Sequence, residues 1–98
     1  MKKTNKTADG TSFFGVTIRS TINILTDALG HPQHYQNTGE DKVNVEWICE
    51  TENGNVVTIY DWREHRTIGV DEEIEFHLGG HNKIDTIEGK IELDTVPV

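Results

Sequence analysis

The chain is short of several things, and each shortage excludes something. It has one cysteine, Cys49, so no intramolecular disulfide can form, and a metal site would have to rest on His and carboxylates. It has no run of about 20 apolar residues, so no membrane-spanning helix is expected. No charged-then-apolar leader with a small-residue cleavage site is visible, so no secretory signal is expected either. Cations are scarce: 9 Lys and Arg stand against 17 Asp and Glu, for a formal net charge of −8. Coating a nucleic-acid polymer needs clustered Lys and Arg, so that class is excluded. Apolar residues are also few, at 34%. A domain of 98 residues buries only about 60–70% of its unfolded surface. Such a sparse core favours self-association, and a homo-oligomer is expected.

What is present falls into a short head and one domain. Residues 1–12 read MKKTNKTADGTS, with no periodic pattern and no large side chain after Met1. They read as a flexible, mildly basic head. Without its three Lys and one Asp the total of −8 becomes −10, so the body is more acidic than the whole. Residues 13–98 read as a single α+β domain. Ile18, Ile22, Leu25 and Leu29 follow steps of 4, 3 and 4, which predicts a helix over Gly15 to Leu29. Phe13 and Phe14 would pin its start, and Gly30 and Pro32 would stop it. Residues 31–42 have loop composition.

Val43 to Glu50 alternates, and Asn53-Gly54 is a strong hairpin signal, with Val56 to Trp62 returning. A two-residue type I′ turn there places Trp47 opposite Tyr60, Val45 opposite Trp62 and Cys49 opposite Thr58. It also opposes Glu46 to Asp61, which costs about 0.2–1 kcal/mol if nothing intervenes. A solvated edge accounts for that pair; so does neutralisation by Arg63, Arg66 or a partner chain. Glu73 to Leu78 is a third strand, with Ile74, Phe76 and Leu78 inward and Gly79-Gly80 ending it. Asn82 caps a final helix marked by Ile84, Ile87 and Ile91, with Asp85 in its first turn. Gly89 costs that helix about 1 kcal/mol, and a strand over Gly89 to Val96 competes. The expected fold is a three-stranded antiparallel sheet with an N-terminal and a C-terminal helix on one face.

Few residues suggest chemistry. Cys49 lies mid-strand beside Trp47 and reads as a small buried hydrophobe rather than a nucleophile. Ser12 and Ser20 lack a His or Asp at a motif spacing. His77 and His81 are four apart, with His65 elsewhere, but Gly-Gly breaks helical spacing and no zincin Glu follows. Surface His is the simpler account, as it is for His31 and His34, so no metal and no cofactor are expected. The run YDWREHR is more informative. Arg63 and Arg66 offer planar grips for phosphate, and Trp47, Tyr60 or Trp62 offers a face for a base. His77, Gly80, His81 and Asn82 follow, where backbone N–H groups at a helix start attract anions. The plain account competes equally: Trp62 is core, and the Arg pair offsets Glu46, Asp61 and Glu64. The acidity itself allows a third reading, a nucleic-acid mimic in a basic groove of another protein.

Three stretches carry a resemblance: FFGVTIRSTINILTDALGHPQ, GEDKVNVEWICETENGNVVTIYDWREHR and EFHLGGHN. They resemble small proteins of tailed bacteriophages, and YDW-x-E-x-R with FH-x-GG is the specific part. The likeness points to counter-defence sponges, which sequester the cyclic nucleotide signals of CBASS or Thoeris immunity without hydrolysing them. It implies a small oligomer that binds a cyclic nucleotide in the host cytoplasm and takes no membrane or nucleic-acid polymer as partner. The expected function is therefore noncatalytic sequestration. An anti-CRISPR-like inhibitor that acts on a host protein is the alternative.

Overall fold

Thr21 divides the segment whose spacing reads as one helix. In a computed structural model, which describes residues 1–94, the elements run β1 (Lys2–Lys3), β2 (Ser12–Ser20), α1 (Ile22–Leu29), β3 (His34–Tyr35), β4 (Val45–Glu50), β5 (Val56–Tyr60), β6 (Ile74–Gly80) and α2 (Lys83–Asp94). Thr21 is extended, at φ −124° and ψ 160°, and its hydroxyl oxygen accepts from Ile24 N–H as an N-cap. Gly15, at φ +90°, lies outside the helical region altogether. The helix expected over Gly15 to Leu29 is thus a strand followed by a shorter helix. A step of four, as from Ile18 to Ile22, fits both the 3.6 and the 2 period, so spacing could not separate them. The C-terminal end is as expected, with Gly30 N–H bonded to Thr26 C=O.

The sheet is antiparallel and has six strands, not three, in the order β1-β4-β5-β6-β2, with β3 also on β4. Two of the extra strands have two residues each, too short for any periodicity to declare them. β1, inside the stretch read as a flexible head, pairs Lys2 with Glu50 and Lys3 with Cys49. β3 pairs His34 with Glu46 further along the same edge. Between them the Gln33 amide acts as a strand segment: Ile48 N–H donates to its oxygen at 2.9 Å, and its nitrogen donates to Ile48 C=O at 2.7 Å. The outer edge of β4 is therefore covered along its length, which protects it from pairing with other chains.

The hairpin is displaced by one residue from the expected register. Thr51 N–H bonds Asn55 C=O, and Gly54 alone in the turn has positive φ, at +83°. A type I′ turn needs positive φ at Asn53 too, so the loop is a three-residue turn with glycine at the left-handed position. Trp47 consequently faces Ile59, Cys49 faces Val57 and Glu46 faces Tyr60. The expected opposition of Glu46 to Asp61 does not arise. The slip also sends Trp47 and Tyr60 to opposite faces of the sheet.

The inner face carries Val45, Trp47, Cys49, Val57, Ile59, Phe76 and Leu78, roofed by Ile22, Leu25 and Leu29 of α1. Trp47 meets Phe76 edge-on at 6.1 Å and donates its indole N–H to Gly30 C=O at 2.9 Å. Helix α2 forms as Asn82 and Asp85 suggest, with Asp85 N–H bonded to Asn82 Oδ1 at 2.8 Å. The competing strand from Gly89 is not formed over the described residues. The buried side of α2 is Thr86 and Gly89, and the isoleucines lie outside. A Cβ on Gly89 would sit 2.9 Å from Val57 Cγ1. The close approach to the sheet thus offsets the propensity cost of glycine in the helix.

One buried polar network ties the loops to this frame. Asp61, fully buried, accepts from Asn44 N–H at 2.8 Å, Asn44 Nδ2 at 3.0 Å and Val45 N–H at 3.0 Å. Asn44 Nδ2 also donates to Arg66 C=O, its Oδ1 accepts from Gly39 N–H, and its C=O accepts from Gln36 N–H. Gly39, at φ +79°, passes so close that a Cβ would lie 2.6 Å from Arg66 Cα. Replacing Asp61 by Ala strands three buried donors at about 1–3 kcal/mol each. Chemical denaturation should show Asp61→Ala less stable by about 3 kcal/mol or more. A loss under about 1 kcal/mol would show that the network does not anchor the fold.

Candidate functional site

Strand alternation decides which rings reach the face away from the helices. On β6, Phe76 and Leu78 point into the core, so His77 and Gly79 point outward. Tyr60 is the register partner of His77, and Phe13 that of Gly79. Gly79 has no side chain to fill this face, and a Cβ there would lie 2.5 Å from Thr58 Oγ1. Phe13 stacks on His77 with centroids 3.9 Å apart and planes 13° apart. Trp62, just past β5, stacks more loosely on His77 at 6.3 Å and 29°. Tyr60 sets its edge against both, 5.6 Å from His77 and 6.2 Å from Trp62. The result is a row of rings, Phe13, His77 and Trp62, with Tyr60 beside it. Phe13 is 42% and Trp62 39% exposed.

The loop after β5 carries the cations. Arg63 and His65 have φ of +56° and +51°, which side chains adopt only under constraint, at a cost of about 1–3 kcal/mol each. The constraint is visible: Arg63 N–H donates to Lys42 C=O at 2.7 Å, and Asp61 and Asn44 hold both flanks. The strained turn lays the Arg63 guanidinium 5.2 Å from the Trp62 ring centroid. Lys42 Nζ approaches the same ring at 6.0 Å. Among the described residues neither cation has a carboxylate partner, in a protein of net charge −8.

Titration follows burial. Desolvation lowers the His77 pKa from its ordinary value, against a small opposing pull from Glu75. The ring is thus neutral near pH 7 and stacks without charge. Desolvation raises the Glu46 carboxyl, and raises the neighbouring Tyr60 hydroxyl, which Glu46 raises further. Burial pushes the Cys49 thiol up to about 12, so it supplies no thiolate nucleophile at neutral pH. Among the described residues no group of three or more His, Cys, Asp or Glu is placed to hold a metal ion. No helix among them is long and apolar enough to cross a membrane.

The residues singled out in the sequence divide clearly. Tyr60, Trp62, Arg63 and His77 come together in this patch. Trp47 is fully buried on the other side of the sheet. Arg66 is occupied: it donates to Glu72 through both terminal guanidinium nitrogens, Nη1 and Nη2, and approaches Glu64 at 3.6 Å. That pairing, with the Gly69 N–H, holds the Glu72 carboxyl below its usual range. Gly80 is buried beneath Thr86, Asn82 caps α2, and His81 lies against Gly10. Phe13 and Lys42 belong to the patch and were not expected there. Reading residues 12–20 as a strand would have placed Phe13; nothing in the sequence places Lys42.

Comparison with protein-family models, curated proteins and solved structures finds no match for this chain. The site has to be read from its own chemistry, as a stacking surface with two unpaired cations at one end.

Two measurements check this geometry. Acrylamide should quench the fluorescence of exposed Trp62 and spare Trp47, so Trp62→Phe should leave a blue-shifted, quencher-resistant emission. Strong quenching in that variant would mean Trp47 is not enclosed. By NMR, the His77 imidazole should titrate with a midpoint below 6.5. Because its folded pKa is depressed, the unfolded state takes up the proton first. His77 should therefore withdraw stability as pH falls through 6.5, and leave it unchanged above.

Proposed function

We propose that the protein is a noncatalytic binder of a nucleotide. The base stacks on the row of Phe13, His77 and Trp62, and the phosphate meets Arg63 and Lys42. The observation that carries this reading is the exposed ring of Trp62 with two cations beside it that no carboxylate among the described residues neutralises. Aromatic faces accept any base, and Arg grips phosphate in two places at once. The acidic body suits one small anion rather than a polymer, because a long phosphate chain would be repelled outside the patch. Within that class, the resemblance to phage sponges favours cyclic nucleotide signals of host defence, sequestered intact in the host cytoplasm.

A second reading has its own support. Trp, Tyr and Arg are the residues that dominate protein–protein hot spots, and this patch concentrates all three. It would make the protein an inhibitor that docks this face on a host defence protein.

Calorimetry against cyclic dinucleotides and cyclic ADP-ribose isomers separates the two. A nucleotide binder takes up a panel member and releases it unchanged on denaturation. Trp62→Ala should then weaken binding by roughly 5- to 150-fold, the worth of about 1–3 kcal/mol of stacking. Arg63→Glu should weaken it at least as much, while Arg66→Glu should act mainly on stability through Glu72. No binding across the panel, with capture of one host protein by wild type but not by Trp62→Ala, would favour the inhibitor. A cleaved nucleotide would make the protein an enzyme.

A further inference from the structure

Helix α2 turns its most apolar stripe away from its own domain. Ile84 is 74% exposed, Ile87 42% and Ile91 59%, although the whole chain is poor in apolar residues. Single exposed hydrophobes are ordinary, but three on one line of one helix form a continuous stripe. The side facing the sheet is instead Thr86 and Gly89, with Leu93 partly buried against the core. That division is the pattern of a helix with partners on both sides.

The flanks of the stripe say what the second partner is. Spacings of 3 and 4 make Ile84 and Ile91 the a positions and Ile87 the d position of a heptad. Lys83 and Lys90 then occupy g, and Glu88 occupies e. In a parallel pair each g residue meets the following e residue of the other helix, so Lys83 of one copy meets Glu88 of the other, twice by symmetry. An antiparallel pair would set Lys against Lys and Glu against Glu. The pattern is complementary to itself in one orientation only.

We propose that the protein forms a two-fold dimer through parallel α2 helices, with the isoleucine stripe as seam and Lys83–Glu88 pairs across it. The aromatic patch lies on the other face of the sheet, so both copies keep it open. A helix of 12 residues is only about 18 Å long, and such a seam falls below the about 1,200–2,000 Å² of a standard interface. The dimer is therefore weak, and its population depends on protein concentration.

Sedimentation velocity on the full chain tests this over about 1 μM to 1 mM. Wild type should pass from monomer to dimer. Ile84→Ser with Ile91→Ser should stay monomeric and folded, since both side chains are exposed, and should leave the aromatic patch and any nucleotide binding unchanged. Lys83→Glu should weaken the dimer about tenfold, and adding Glu88→Lys should restore it. Ile91→Cys should cross-link to its own copy under mild oxidation, because equivalent residues face each other only in a parallel pair away from the axis. A wild-type monomer at 1 mM, or a dimer that survives the double serine variant, overturns the proposal. Failure of the charge swap together with failure of the Ile91→Cys cross-link overturns the parallel orientation.

Discussion

The buried carboxylate of Asp61 is the constraint on which the rest of the molecule depends. Its oxygens accept from the start of β4 through Asn44 and Val45, and Asn44 in turn holds loops 36–44 and 61–68. A buried acceptor left without donors, or the reverse, costs more than the bond itself is worth. The two loops are therefore linked: neither can leave without stranding polar groups of the other. That is how a chain with a modest apolar core holds an irregular loop in place. It is also how Arg63 and His65 are kept in backbone conformations that they would abandon in a free peptide.

The same sheet serves two separate purposes because its faces are chemically different. Inward, Trp47, Ile59 and Phe76 make the core under the helices. Outward, Phe13, Tyr60 and His77 form a surface that no helix among the described residues covers, and Trp62 extends it from the anchored loop. Glycine shapes both sides. Gly79 leaves the outer face low beside Phe13, and Gly89 lets α2 settle on Val57. Because Thr86 and Gly89 face the sheet on α2, its three isoleucines are left for the outside, while Leu93 packs against the core.

Much of this was legible in the sequence, in the places where one physical rule acts alone. Ile74, Phe76 and Leu78 alternate and are buried as that alternation says. Gly30 stops α1, and Asn82 starts α2. The α+β class and its two helices followed from such signals. Expectation and structure part where two rules give the same pattern. The step from Ile18 to Ile22 suits a strand and a helix alike, and it hid β2. Asn53-Gly54 suits two- and three-residue turns, whose registers differ by one residue, and the three-residue turn is the one formed. Two-residue strands such as β1 and β3 have no pattern at all, because their pairing is supplied by β4.

By itself the sequence determined composition, charge, the class of fold, the end of α1, the start of α2 and the small set of aromatic and Arg residues worth watching. The tertiary structure alone decided which of them meet. Arg63 and Arg66 are three apart in the chain, yet one is free beside Trp62 and the other is committed to Glu72. Trp47 and Tyr60 are on neighbouring strands, yet a one-residue register separates them by the thickness of the sheet. Residue type is local, whereas availability depends on what lies across the fold, and only long-range pairing settles that. Phe13 shows it from the other direction: its place in the sequence suggests the start of a helix, but it lies in β2, which brings it against His77 from 64 residues away.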